Sequence, residues 1–136
     1  MPEDGITWFE REDILSYDEI LRIVAVGARR GLTKVRITGG EPLARKGVAG
    51  LVARVGKIEG ITDIALSTNA TLLAEQAHDL YAAGLRRVNI SLDSLRKDRQ
   101  TAITRRDCYD KVWAGIREAE RVGRSEERRV GKECRL

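Results

Sequence analysis

Three strand-like segments, each followed by a helix-like stretch, constrain this chain more than any other feature. Lys34-Val35-Arg36-Ile37-Thr38 alternates in character, and Asp63 to Ser67 and Arg87 to Leu92 read the same way. Their ends fall near Thr38, Ser67 and Ser91, spaced 29 and 24 residues apart. That is the length of a strand, a helix and short links. No hairpin dipeptide separates them. Alternation of this kind predicts a parallel sheet joined by right-handed crossovers.

The helical stretches carry their own signals. Ser16 is placed to cap a helix, with Glu19 completing a capping box and Leu15 and Ile20 at staple positions. Ile20, Ile23, Val24 and Ala28 form its apolar face, and Gly31 ends it. A weaker helix is predicted over 47–57, with Leu51, Val52 and Val55 inward; its interior glycines cost roughly 1 kcal/mol each relative to Ala. Further helices are expected over 71–83, 95–104 and 109–122.

Side chains alternate between the two faces of a strand. Val35, Ile37, Ile64, Leu66, Val88, Ile90 and Leu92 share one side. Arg36, Thr38, Ser67, Asn89, Ser91 and Asp93 share the other. A doubly wound sheet is covered by helices on both faces and apolar on both. One polar face points instead to a curved or closed sheet around a wet, ligand-holding lumen. A sheet with one face open to solvent is the alternative. Ligands in parallel α/β folds bind beyond the carboxyl ends of the strands. Gly39-Gly40-Glu41-Pro42 lies directly past the first strand. Its glycines let backbone approach a ligand closely, and Pro42 biases Glu41 to an extended conformation. Such a loop can offer carbonyl oxygens, or the Glu41 carboxylate, to an ammonium group.

Composition narrows the class. The 136 residues carry 25 Lys and Arg against 21 Asp and Glu, interleaved along the chain, which does not describe a nucleic-acid-binding face. Apolar residues make up 42%, enough for a core, and no run is long enough to span a membrane. No targeting peptide is visible at the start. Two cysteines, Cys108 and Cys134, exclude a disulfide framework or an all-cysteine metal site within this chain. The expected setting is the cytoplasm.

The last stretch reads differently. Arg124-Ser125-Glu126-Glu127-Arg128-Arg129-Val130-Gly131-Lys132-Glu133-Cys134-Arg135 has no apolar periodicity and matches the translation of a widely used sequencing adapter. Residues 124–136 are read as a non-native tail and set aside. Without its five basic and three acidic residues, 25 and 21 fall to 20 and 18, a net +2.

Arg36-Ile37-Thr38-Gly39-Gly40-Glu41-Pro42-Leu43 resembles the GGEP segment of radical S-adenosylmethionine (SAM) enzymes. Ser67-Thr68-Asn69, Val88-Asn89-Ile90-Ser91-Leu92-Asp93-Ser94-Leu95, Ala102-Ile103-Thr104-Arg105-Arg106-Asp107 and Met1-Pro2-Glu3-Asp4-Gly5 add an ordered set with matching spacing. Together, over residues 1–123, they resemble the GTP 3′,8-cyclase (MoaA) family of molybdenum cofactor biosynthesis.

That resemblance implies a parallel-stranded partial (β/α) barrel, truncated here at both ends. In the family, three cysteines bind a 4Fe–4S cluster directly before the segment resembling Met1–Gly5, and a second cluster lies near the C-terminus. Neither set is in this sequence, so residues 1–123 are expected to be an interior fragment with no catalytic or metal-ligating residue of its own. The implied lyase chemistry converts GTP to 3′,8-cyclo-7,8-dihydro-GTP through a 5′-deoxyadenosyl radical made from SAM. The implied SAM contacts are Gly39, Gly40, Glu41 and Ser91. The implied GTP contacts are Arg36, whose guanidinium suits a phosphate, and Ser67, where the family usually has Thr. Ala70 stands where the family commonly has Gly. The implied pathway partner is cyclic pyranopterin monophosphate synthase; an electron donor is required but not identified.

Each residue also has a plainer role. Arg36 could pair with Asp93 or Glu41, Ser67 and Ser91 could cap the segments after them, and Glu41 could orient its loop. His78 is expected on a solvated helix face, Trp8 and Trp113 in packing, and Cys108 as an inert small residue. Arg86-Arg87 and Arg105-Arg106 are expected to be solvated ends of elements. The alternatives for the whole chain are another radical SAM enzyme, such as a peptide-modifying one, and a non-catalytic nucleotide-binding α/β module.

Overall fold

The structure, a computed structural model, describes residues 14–123 and the backbone strand at 125–130. Helix α1 (Tyr17–Arg29) opens it. The capping box forms as the sequence requires: Glu19 N donates to Ser16 Oγ at 3.2 Å, and Ser16 N donates back to Glu19 Oε2 at 2.7 Å. Gly31, at φ 95°, turns the chain out of the helix. Strand β1 (Lys34–Ile37) follows, then a 3₁₀ turn at Pro42–Ala44 and helix α2 (Val48–Val55). Strand β2 (Asp63–Thr68), helix α3 (Leu73–Ala82) and strand β3 (Arg87–Leu92) repeat the unit. Helices α4 (Lys97–Thr104) and α5 (Tyr109–Arg121) come next, and strand β4 (Ser125–Val130) is last.

The strands among the described residues are all parallel, in the order β1-β2-β3-β4. The register aligns Ile37 with Leu66 and Val88, and Arg36 with Ala65 and Arg87. The alternation read from sequence therefore holds across strands. Ile64, Leu66, Val88, Ile90 and Leu92 are buried in one core with Leu51, Val52, Val55, Leu73, Leu80, Val112 and Ile116 from the helices. Val35 and Ile37 join it from the edge strand, half-buried. Among the described residues the sheet is open rather than closed on itself.

Element ends differ from the sequence reading by a residue or two. The helix expected over 47–57 is regular only over Val48–Val55. Those expected from 71 and 95 start at Leu73 and Lys97, because turns stabilised by side chains precede them. The larger difference is β4. No periodicity marks it, yet its backbone pairs with β3 from Arg87–Ser125 to Leu92–Val130. An open sheet edge offers a row of main-chain donors and acceptors to any extended segment, whatever its side chains.

Candidate functional site

The carboxyl ends of β1, β2 and β3 lie together, and the face opposite the helices carries the polar set. Ser67 aligns with Asn89, two residues further along the strands than the row of Arg36, Ala65 and Arg87 on that face. Neighbouring parallel strands lie about 4.8 Å apart and rise roughly 3.3 Å per residue, which puts Arg36 and Ser67 about 8 Å apart on a diagonal. Ser91 continues that diagonal by the same step on β3. Arg36 and Ser91 are exposed and Ser67 half-buried, whereas Asn89 is buried, only 3% exposed. The sequence expectation that these groups share one face is met.

The loop past β1 is built by its neighbours. Gly39 and Gly40 are exposed, and nothing lies within 4 Å of where a Cβ would stand on either, so this backbone is open to an approaching group. Glu41 is extended, at φ −146° and ψ 105°, as Pro42 demands. Leu43 is buried and anchors the 3₁₀ turn in the core. Gln76 of α3 donates to the Leu43 carbonyl at 2.9 Å. Arg45 donates to the Leu15 carbonyl at 2.7 Å and stacks over the Tyr17 ring at 4.3 Å. The Tyr17 hydroxyl donates to the Lys46 carbonyl at 3.0 Å. Burial pushes that phenol above its ordinary pKa, and the nearby Arg45 opposes the shift.

The Glu41 carboxylate is already engaged. Its Oε1 accepts from the Thr68 hydroxyl at 2.6 Å and from Leu43 N at 3.1 Å; its Oε2 accepts from Asn69 N at 2.8 Å. Thr68 Oγ1 accepts in turn from Ala70 N at 3.0 Å, and Asn69 Oδ1 accepts from Thr71 N and the Thr71 hydroxyl. The β2–α3 turn is thus stitched to the loop past β1. Sequence reasoning gives no role to Gln76, and none to Thr68 beyond its place in the Ser67-Thr68-Asn69 segment. Thr68 has a visible signal: it has the parity of Leu66, on the helix-facing side. Gln76 has none.

His78 is exposed on α3, and Trp113 and Cys108 are half-buried against the core. Trp8 lies outside the described residues. Arg86 is exposed and stacks over the Tyr81 ring. Arg87 is not a solvated end: it is half-buried and pairs with Asp63 at 2.6 Å, tying β3 to β2. Ala70, in the turn after β2, adopts φ 62°, the left-handed conformation that suits Gly.

The donor set does not fit an iron–sulfur cluster. Such clusters are held by cysteine thiolates, and the described residues contain Cys108 alone and no group of three His, Cys, Asp or Glu arranged to hold a metal. The open glycine pair, by contrast, fits close approach of a small ligand's polar end. No helix among the described residues is long and apolar enough to cross a membrane.

A model of the radical SAM superfamily matches residues 2–130. The chain is 54% identical over 124 residues to a GTP 3′,8-cyclase of Thermodesulfovibrio yellowstonii, covering 90% of this chain and 38% of that protein. It is 53% identical over 123 residues to a GTP 3′,8-cyclase of Alkaliphilus metalliredigens, again 90% and 38%. A GTP 3′,8-cyclase of Gloeobacter violaceus is 54% identical over 121 residues, or 88% and 37%. The chain spans well under half the length of these relatives.

Proposed function

Because the chain belongs to the radical SAM superfamily, we propose that it is an interior segment of a GTP 3′,8-cyclase, a lyase of molybdenum cofactor biosynthesis. The observation that carries this reading is identity of about half over nine-tenths of the chain to proteins of that name. The site supports it: a glycine loop and a diagonal of Arg36, Ser67 and Ser91 lie at the carboxyl ends of parallel strands. SAM, bound by the complete enzyme, supplies the radical chemistry, with 4Fe–4S clusters held by cysteines that this sequence does not contain.

In this reading the chain's own residues bind and orient. Gly39 and Gly40 present main-chain carbonyls to the methionyl ammonium of SAM, and the exposed Ser91 hydroxyl contacts the same ligand. Arg36 presents its guanidinium to the GTP phosphates, a charge-assisted contact. Ser67, one step along the diagonal, holds GTP by its hydroxyl. The product passes to cyclic pyranopterin monophosphate synthase, in the cytoplasm. Residues 124–136 are a non-native tail, a reading supported by their likeness to a translated sequencing adapter, although the superfamily match extends to residue 130.

The test is a chain completed with the remaining segments of the parent gene and reconstituted anaerobically with iron and sulfide. It should form cyclised GTP and 5′-deoxyadenosine. Arg36→Ala in that enzyme should weaken GTP binding, since a charge-assisted contact is worth about 1.5–3 kcal/mol, or roughly 10- to 150-fold in affinity. Unchanged GTP affinity would remove Arg36 from the site.

A further inference from the structure

We infer that the Glu41 carboxylate is a positioning residue rather than a ligand contact: it pins the Gly39–Gly40 backbone to the β2–α3 turn and so sets where the glycine carbonyls point. This rests on the proposal that those carbonyls meet SAM. A carboxylate offers about four lone-pair sites, and three are spent on the Thr68 hydroxyl, Leu43 N and Asn69 N. The ammonium of an amino-acid ligand is therefore left to the exposed main chain of the glycine pair, where no side chain intrudes.

The arrangement needs a carboxylate. All its partners are donors, two of them main-chain N–H groups that no substitution removes. Glutamine would turn an NH₂ towards either Asn69 N or Oε1's partners, donor against donor. Thr68 is the second half of the device. Its hydroxyl donates to Glu41 and accepts from Ala70 N, so it links the loop to a buried turn. Gln76 holds the far side of the same segment through the Leu43 carbonyl. The loop past β1 is thus fixed from β2 and α3, leaving its exposed glycines as the part free to meet a ligand.

The experiment uses the 136-residue chain, ¹⁵N-labelled, as wild type, Glu41→Gln, Thr68→Val and Thr68→Ser. Without ligand, the heteronuclear NOE at Gly39 and Gly40 should fall in Glu41→Gln and Thr68→Val, with Val35 and Leu66 unchanged. Thr68→Ser, which keeps the hydroxyl, should match wild type. Gly39 and Gly40 staying as ordered in both disruptive variants would overturn the inference. Equilibrium dialysis then compares SAM with 5′-methylthioadenosine, which lacks the amino-acid end. Glu41→Gln should bind SAM roughly tenfold more weakly, one lost polar contact, and 5′-methylthioadenosine as wild type does. Equal loss for both ligands would mark a general structural defect and also overturn it. Wild-type chain that binds 5′-methylthioadenosine and SAM equally would count against the proposed SAM contacts, while the NOE comparison still decides the role of Glu41 in its loop.

Discussion

At the scale of single residues, the capping box of α1 shows how local chemistry becomes a pH response. The hydrogen bonds from Ser16, backbone first and then side chain, hold the Glu19 carboxyl below its usual pKa. A group with a depressed folded pKa contributes stability above its unfolded value and loses it as pH falls through the folded one. The helix start should therefore weaken on acidification through and below the ordinary glutamate range. Thermal melts from pH 7 to 3 should show a smaller acid-side loss in Glu19→Gln than in wild type. An identical loss would mean that the capping box does not titrate with stability. Ser16→Ala should cost about 1 kcal/mol at neutral pH, read from a denaturant midpoint. Arg87 teaches a different lesson. Its position next to Arg86 suggests a solvated pair, but only the pairing of β2 with β3 brings Asp63 to it.

At the scale of elements, glycine substitutions should separate packing from propensity. Gly50 lies inside α2, exposed, with nothing within 4 Å of where a Cβ would stand. Gly50→Ala should stabilise the chain by roughly 0.5–1 kcal/mol through helix propensity. Gly115 lies inside α5, where a Cβ would stand 2.6 Å from the Ala70 carbonyl oxygen and 3.0 Å from Leu73 Cβ. Gly115→Ala should destabilise by about 1–3 kcal/mol, because α5 must move away from α3 and the turn at Ala70. Urea midpoints of the two variants should shift in opposite directions. A stabilised Gly115→Ala would refute the close α3–α5 approach. Helical spacing alone treats the two glycines alike; the tertiary contact separates them.

At the scale of the whole molecule, the 136-residue chain should have no cyclase activity by itself. Its two cysteines cannot supply the thiolates of a radical-generating cluster. Anaerobic reconstitution followed by assay for 5′-deoxyadenosine should give none, and multiple turnovers would overturn the fragment reading. Truncation after Gly123 tests the tail. If residues 124–136 are foreign, their removal should shift the melting temperature by no more than about 4 °C, the equivalent of less than 1 kcal/mol in a domain of this size. The sequence by itself determined the order of the helices and of β1, β2 and β3, the capping of α1 and the face to which each residue of those three strands belongs. These follow from periods of 2 and 3.6 residues and from caps that reach only three or four residues. It also marked the polar strand face and the glycine loop through their place at strand ends, whereas the family resemblance picked Arg36, Ser67 and Ser91 out of that face. Only the tertiary structure decided that Glu41 spends its carboxylate on Thr68 and Asn69, residues 27 and 28 positions away. It alone placed Gln76 on the same loop, Arg87 against Asp63, and an unpatterned strand on the open edge of β3. Those contacts join segments far apart in the chain, and main-chain pairing at a sheet edge leaves no signature in side-chain pattern.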